Sequence, residues 1–156
     1  MTIIEATTLI NAPIEDCFRL ALSIDLELRA AADYGLRAVD GVISGTIGPG
    51  ERVTWRTNQF GIWISHTSEI TAFREPTFFQ DCMVHGVFRT YSHDHFFEDL
   101  GTDKTAMRDV LSFSFPRLLM GEVAERLFVK RRLTTLLLRR NSLIKHHAES
   151  RAALLP

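Results

Sequence analysis

Apolar and polar positions alternate with a period of two through the middle of the chain, and with helical spacing at its two ends. Residues 2–10 (TIIEATTLI) are rich in β-branched side chains and predict a strand. Pro13 follows with Glu15 and Asp16 behind it, a helix-start signal, and Ile14, Phe18, Ala21 and Leu22 then fall on one helical face. A second short helix is predicted over 25–32, with Asp25 as its cap, and Gly35 ends the pair. Six further strands are predicted over 36–40, 51–57, 61–73, 77–85, 88–99 and 104–115. They are separated by the turn signals GPGE, NQFG, REP, HG and LGTDK. Connections this short predict an antiparallel meander. After Pro116 the period changes. Residues 118–147 predict one helix of roughly 45 Å, with Val123, Ala124, Leu127 and Phe128 forming an apolar face and Leu133, Leu137 and Ile144 continuing it. The order is strand, two short helices, six strands, long helix. It defines an α+β domain in which a curved seven-stranded antiparallel sheet is covered by one helix. No repeat, linker or low-complexity segment divides the chain, so residues 1–156 are expected to form a single domain.

The alternation also sorts the polar side chains. In the last strand Met107, Asp109, Leu111, Phe113 and Phe115 share a side, which is expected to face the helix. In GVFRTYSHDHFFED (86–99), Tyr91, His93, His95 and Phe97 share the inward side, with Arg89 and Asp99 at the rims. Phe88 and Phe96 stand on the other side and oppose that assignment. Phe79, Asp81 and Met83 point inward in their strand, as do Val53 and Trp55 in theirs, whereas the 61–73 strand is ambiguous because Trp63 opposes Ile62, Ile64 and Ile70. The expected result is a polar group of Asp81, Tyr91, His93, His95 and Asp109 on an otherwise apolar wall. Such a group has four readings. It can be a set of hydrogen bonds satisfied within the sheet, or a device that orients a ligand's polar end. It can be an acid–base pair in which Asp109 holds the imidazole of His93 or His95. The fourth reading is a metal site. No metal is expected, because His-x-His supplies two ligands and the sequence offers no evident close third. His146 and His147 are adjacent on a helix, point apart and form no chelating pair.

Composition narrows the function less. The chain has 156 residues, 46% of them hydrophobic and 24% charged, an ordinary globular balance. Its two cysteines, Cys17 and Cys82, form no CxxC, and no signal-peptide pattern opens the chain, so a cytoplasmic protein without a disulfide framework is expected. No apolar run reaches the roughly 20 residues of a transmembrane helix. Net charge is −1 but unevenly spread: residues 1–116 carry 16 acidic and 9 basic side chains, residues 117–156 carry 3 and 9. The basic tail is expected to be a solvated helix face, Arg139 and Arg140 included. A transient contact with a protein partner or an anionic membrane is the alternative, and no nucleic-acid partner is expected. The glycines of 41–50 lack a following Gly-Lys-Ser/Thr and precede a strand, which predicts a hairpin or entrance loop rather than a phosphate loop.

The segments GTIGPGERVTWRTNQFG (45–61), EITAFREPTFFQD (69–81), GVFRTYSHDHFF (86–97) and MRDVLSFSFP (107–116), taken with the order of elements, resemble the START-like helix-grip (SRPBCC) superfamily, which includes polyketide cyclases and the birch-pollen allergens. Within it they are most similar to a bacterial cyclase-like branch. The resemblance covers nearly the whole chain. It implies a cavity between sheet and C-terminal helix for a lipid- or polyketide-like ligand, and it brings no catalytic motif shared by the whole superfamily; no cofactor is expected. On that basis Trp55, Phe79, Met83, Tyr91, Phe97, Leu111 and Phe113 are expected to line the sheet side, with Asp81 among them, and Val123, Leu127 and Phe128 to cover it. Three functions follow as expectations: a binder of hydrophobic small molecules, a cyclase or dehydratase using His93 or His95 with Asp109, or a docking module that uses the basic helix.

Overall fold

A computed structural model describes residues 1–59, 61–116 and 123–153. Strand β1 (Thr2–Ile10) leads into α1 (Ile14–Ala21), α2 (Ile24–Ala30) and a 3-10 turn at Ala32–Tyr34. Then come β2 (Arg37–Gly41), β3 (Arg52–Gln59), β4 (Ile62–Arg74), β5 (Phe78–His85), β6 (Thr90–Asp99), β7 (Thr105–Ser114) and the 30-residue helix α3 (Val123–Ala152). The start predicted for α3 at residue 118 lies outside the described residues.

All seven strands form one antiparallel sheet in the order β1-β7-β6-β5-β4-β3-β2. Strands β2 to β7 are consecutive neighbours, as short connections require. β1 then closes the far edge by pairing along its whole length with β7, from Thr2 opposite Phe113 to Ile10 opposite Thr105. Gly41 ends β2 where a side chain would collide with the backbone of Arg52, and it adopts a left-handed conformation (φ 73°). The helix pair is capped differently from the sequence expectation. Ser23, not Asp25, is the N-cap of α2 and accepts from the Leu26 N–H, while Asp25 accepts from the Gly45 N–H and ties down the 41–50 loop. Gly35 adopts the left-handed conformation that stops the 3-10 turn.

Two apolar clusters fill the space between sheet and helices. One lies under α1 and α2, where the Phe18 ring meets Phe73, Phe79 and Phe97 edge-on at 5.2–5.5 Å. The other joins Ile4, Leu111, Phe113 and Leu137, with Phe88, Tyr91, Phe115 and Leu133 packed against it. α3 presents Leu137, Ile144 and Ala148 to this interior. On the same face, between Leu137 and Ile144, stand two buried polar residues, Arg140 and Asn141. Among the described residues no helix is long and apolar enough to cross a membrane.

Candidate functional site

The polar interruption of α3 lies over a polar interruption of the sheet. Registration brings this about: Asp81 is opposite His93 across β5–β6, and His95 is opposite Asp109 across β6–β7. Residues sharing a face on three adjacent strands therefore converge. His93 Nε2 donates to Asp109 Oδ1 at 3.1 Å, and His95 Nδ1 donates to the same oxygen at 2.8 Å. The second oxygen of Asp109 accepts from Asn141 Nδ2 of α3 at 2.7 Å. On the other side His95 Nε2 lies 3.2 Å, and His93 Nδ1 3.9 Å, from Asp81 Oδ2. The two imidazoles are thus clamped between two carboxylates, and the His95 ring stacks on Phe79 at 4.1 Å.

Arg140 completes the group. Its Nε contacts Glu27 Oε2 at 2.9 Å, and Nη2 donates to the Ala21 carbonyl. Nη1 lies 3.7 Å from Asp109 Oδ1 and has no hydrogen-bond partner among the described residues. The expectation that Arg140 belongs to a solvated cationic face is therefore corrected. Its side chain is 8% exposed and tied to α1, α2 and the β7 carboxylate, whereas Arg139, one residue earlier, points outward and pairs with Asp33.

Burial and pairing set the charges. Burial alone would raise the Asp109 carboxyl, but the hydrogen bonds from His93 and His95 outweigh it and hold the group well below the usual carboxylate range. Asp81 follows the same balance, burial against His95 and His93, and is also lowered. Burial, with the neighbouring His95, pushes His93 down and favours its neutral form. Burial raises Glu27 despite Arg140, and it pushes the Tyr91 hydroxyl well above its ordinary value.

This group forms one part of the wall of a partly open cavity of about 360 Å³ bounded by the sheet, α1, α2 and α3. Trp55, Phe79, Asp81, Tyr91, His93, His95, Leu111 and Phe128 stand on its wall. Asp109 is fully buried behind the histidines and does not reach it. Several expected lining residues lie elsewhere. Phe97 packs against Phe18, and Phe113 is buried between the sheet and Leu137, so both face inward but help form the solid core. Met83 lies opposite the cavity-facing Ser68 but is not on the wall; its sulfur lies against Gly86, where a side chain would displace it. Leu127 is 61% exposed and turned away from the cavity, one position round the helix from Phe128. The Val123 side chain lies outside the described residues.

Sequence reasoning missed Arg140, Asn141, Glu27 and His66. His66 is on the cavity wall with its ring 4.8 Å from Tyr91 and its imidazole lowered by burial. Its Nδ1 is buried and unpaired among the described residues. It sits in the strand whose parity was ambiguous. Ile64, His66, Ser68 and Ile70 face the cavity, while Trp63 is exposed beneath the Arg56 guanidinium. The helix did carry a signal for the other pair, since an apolar stripe at 133, 137, 144 and 148 leaves positions 140 and 141 on the buried side.

A curved antiparallel sheet closed over a cavity by one long helix, with two short helices after the first strand, is the helix-grip class of α+β domain. No family model and no curated protein matches the sequence. Solved structures do match in shape. TTHA0849 from Thermus thermophilus superposes with a TM-score of 0.68 at 19% identity, covering 92% of this chain and 97% of that one. A START superfamily protein from Mycobacterium smegmatis gives 0.62 at 13%, covering 92% and 97%. The Zhui aromatase/cyclase from Streptomyces sp. R1128 gives 0.63 at 13%, covering 97% and 95%. The chain has the START-like (SRPBCC) fold.

Proposed function

We propose that the chain binds an apolar small molecule with one oxygenated end, lipid- or polyketide-like, in the cavity between sheet and α3. The observation that carries this reading is the composition of the cavity wall. It is mostly apolar, through Trp55, Ile64, Ile70, Leu111, Leu133 and Leu136, with a polar cluster at Asp81, Tyr91, His93, His95 and Arg140 and further polar side chains, Glu69 and Arg132 among them, elsewhere on the wall. A volume of about 360 Å³ falls within the range of small-molecule sites. Apolar walls supply affinity through burial. Polar atoms such as Arg140 Nη1 and His66 Nδ1, buried without hydrogen-bond partners among the described residues, favour a ligand that can hydrogen-bond to them. The START-superfamily and aromatase/cyclase descriptions of two structural neighbours fit the same reading.

Leu111→Trp tests it. Leu111 is buried on the wall beside His93, its cross-strand partner. The larger ring should occupy the cavity and lower the affinity for an apolar fluorescent probe at least tenfold. The accompanying overpacking should cost about 1–3 kcal/mol. A folded variant that takes up the probe as well as wild type would place binding elsewhere.

A second reading rests on His93, which reaches the wall with Asp109 behind it and is kept neutral by burial. A neutral imidazole held by a carboxylate is a general base, which fits a cyclase or dehydratase acting on a polyketide-like substrate. Turnover of a poly-β-ketone that disappears in His93→Phe while probe binding persists would establish it.

A further inference from the structure

We propose that Asp81, His93 and His95 form a binding site for one divalent transition-metal ion, with zinc as the fitting case, on the wall of the cavity. Along the chain only two ligands were evident, with no close third; the β5–β6 register supplies the third. One donor atom from each residue lies within 4.8 Å of the others, and the two His–Asp81 separations are 3.2 and 3.9 Å. Neighbouring donors around a four-coordinate zinc ion stand roughly 3.4 Å apart, from bond lengths of about 2.0–2.1 Å. The widest separation, up to 4.8 Å, has to close by about 1 Å or more to reach that spacing, which side-chain rotation about the His93 and Asp81 torsions would have to supply.

The hydrogen bonds already orient both rings. Asp109 Oδ1 accepts from His93 Nε2 and from His95 Nδ1. His93 Nδ1 and His95 Nε2 are the two nitrogens that face Asp81 Oδ2, and a metal would bind them in place of any proton between them and that oxygen. Metal-bound histidines characteristically donate their other N–H to a carboxylate that fixes the ring. Here one buried carboxylate does so for both rings and is itself fixed by Asn141.

Charge points the same way. Beside the two imidazoles, the buried group contains three carboxyl groups, Asp81, Asp109 and Glu27, against the single guanidinium of Arg140, an acidic surround that favours a cation. Imidazole and carboxylate donors suit zinc and its neighbours rather than calcium or magnesium. Three protein ligands on a cavity wall leave a fourth position facing the cavity, open to water or to a ligand oxygen. Metal binding here needs no organic ligand, so a cavity that takes up the apolar probe but binds no metal would overturn it and leave the cavity reading standing.

The test is titration of the chelator-treated, untagged full chain with zinc by calorimetry, and with cobalt(II) by visible absorption. One ion per chain is expected, with the intense bands of four-coordinate cobalt. Asp81→Asn and His93→Gln should each weaken binding at least tenfold. Asn141→Ala, which removes the amide that donates to Asp109 and Thr8, should weaken it about tenfold by loosening the rings. His147→Gln, toward the end of α3 where the ring contacts Arg29, should leave the metal titration unchanged. Nitrogen-15 NMR of the wild type gives a readout independent of any variant. Zinc should shift His93 Nδ1 and His95 Nε2 and leave His146 and His147 in place. Substoichiometric binding, binding insensitive to Asp81 and His93, or a His95 ring with both nitrogens protonated and unmoved by zinc would each overturn the proposal, the last by showing that a proton fills the place assigned to the ion.

Discussion

Asp109→Leu should destabilise the protein by about 3–5 kcal/mol, the range for removing one member of a buried ionic group. The substitution is nearly isosteric and adds apolar surface, so a purely hydrophobic account would expect little loss. The hydrogen bonds argue otherwise. Without the carboxylate, N–H groups of His93 and His95 lose their acceptor in the interior, and Asn141 Nδ2 keeps only its longer bond to Thr8. Asp109→Asn retains an acceptor oxygen and should cost less than half as much. Urea denaturation with the slope unchanged is the measurement. An Asp109→Leu protein as stable as wild type would show that the polar floor is not built around this carboxylate.

The second large effect separates two adjacent arginines. Arg140→Glu places a carboxylate against Glu27 and Asp109 in a buried position and removes the donors to Glu27 and the Ala21 carbonyl. Losing the pair alone should cost about 3–5 kcal/mol, and like-charge repulsion adds to it. With typical stabilities of about 5–15 kcal/mol, the variant should be mostly unfolded or recovered only in inclusion bodies. Arg139→Glu removes an exposed pair with Asp33 and should change stability by about 1 kcal/mol or less. Thermal melts of the two variants check the contrast. Equal effects would contradict the inward placement of Arg140.

That contrast marks how far the sequence could be read. Charge counting places both arginines on one cationic face, because a list of residues carries no direction. The helical period contains that information, but it becomes decisive only when the inward stripe is fixed by Leu137, Ile144 and Ala148. The strands were easier. A period of two places Asp109 with Met107 and Leu111, and His93 with His95 and Phe97, and all six are buried. The two phenylalanines that opposed this parity resolve separately. Phe96 lies on the outer face beneath the Arg108 guanidinium, and Phe88 precedes β6, packing inward against Tyr91, Phe113 and Phe115. At Met83 parity gives the strand face, opposite Ser68, but not where the side chain ends, against Gly86. It also cannot distinguish a residue that lines a cavity from one that fills the core. Phe79 and Phe97 share a face and stack at 6.0 Å, yet of the two Phe79 alone reaches the cavity, since α1 places Phe18 against both rings and leaves open only the side beyond Phe79. That distinction depends on tertiary packing, which no single strand encodes.

Binding of an apolar ligand between sheet and α3 is tested most directly by intermolecular NOEs between a bound apolar probe and methyl-labelled protein. NOEs are expected to Ile64, Ile70, Leu111 and Leu133, which surround the cavity on several sides. NOEs confined to the exposed methyls of Ile62, Leu127 and Leu138 would contradict this, because they would place the probe on the outer surface.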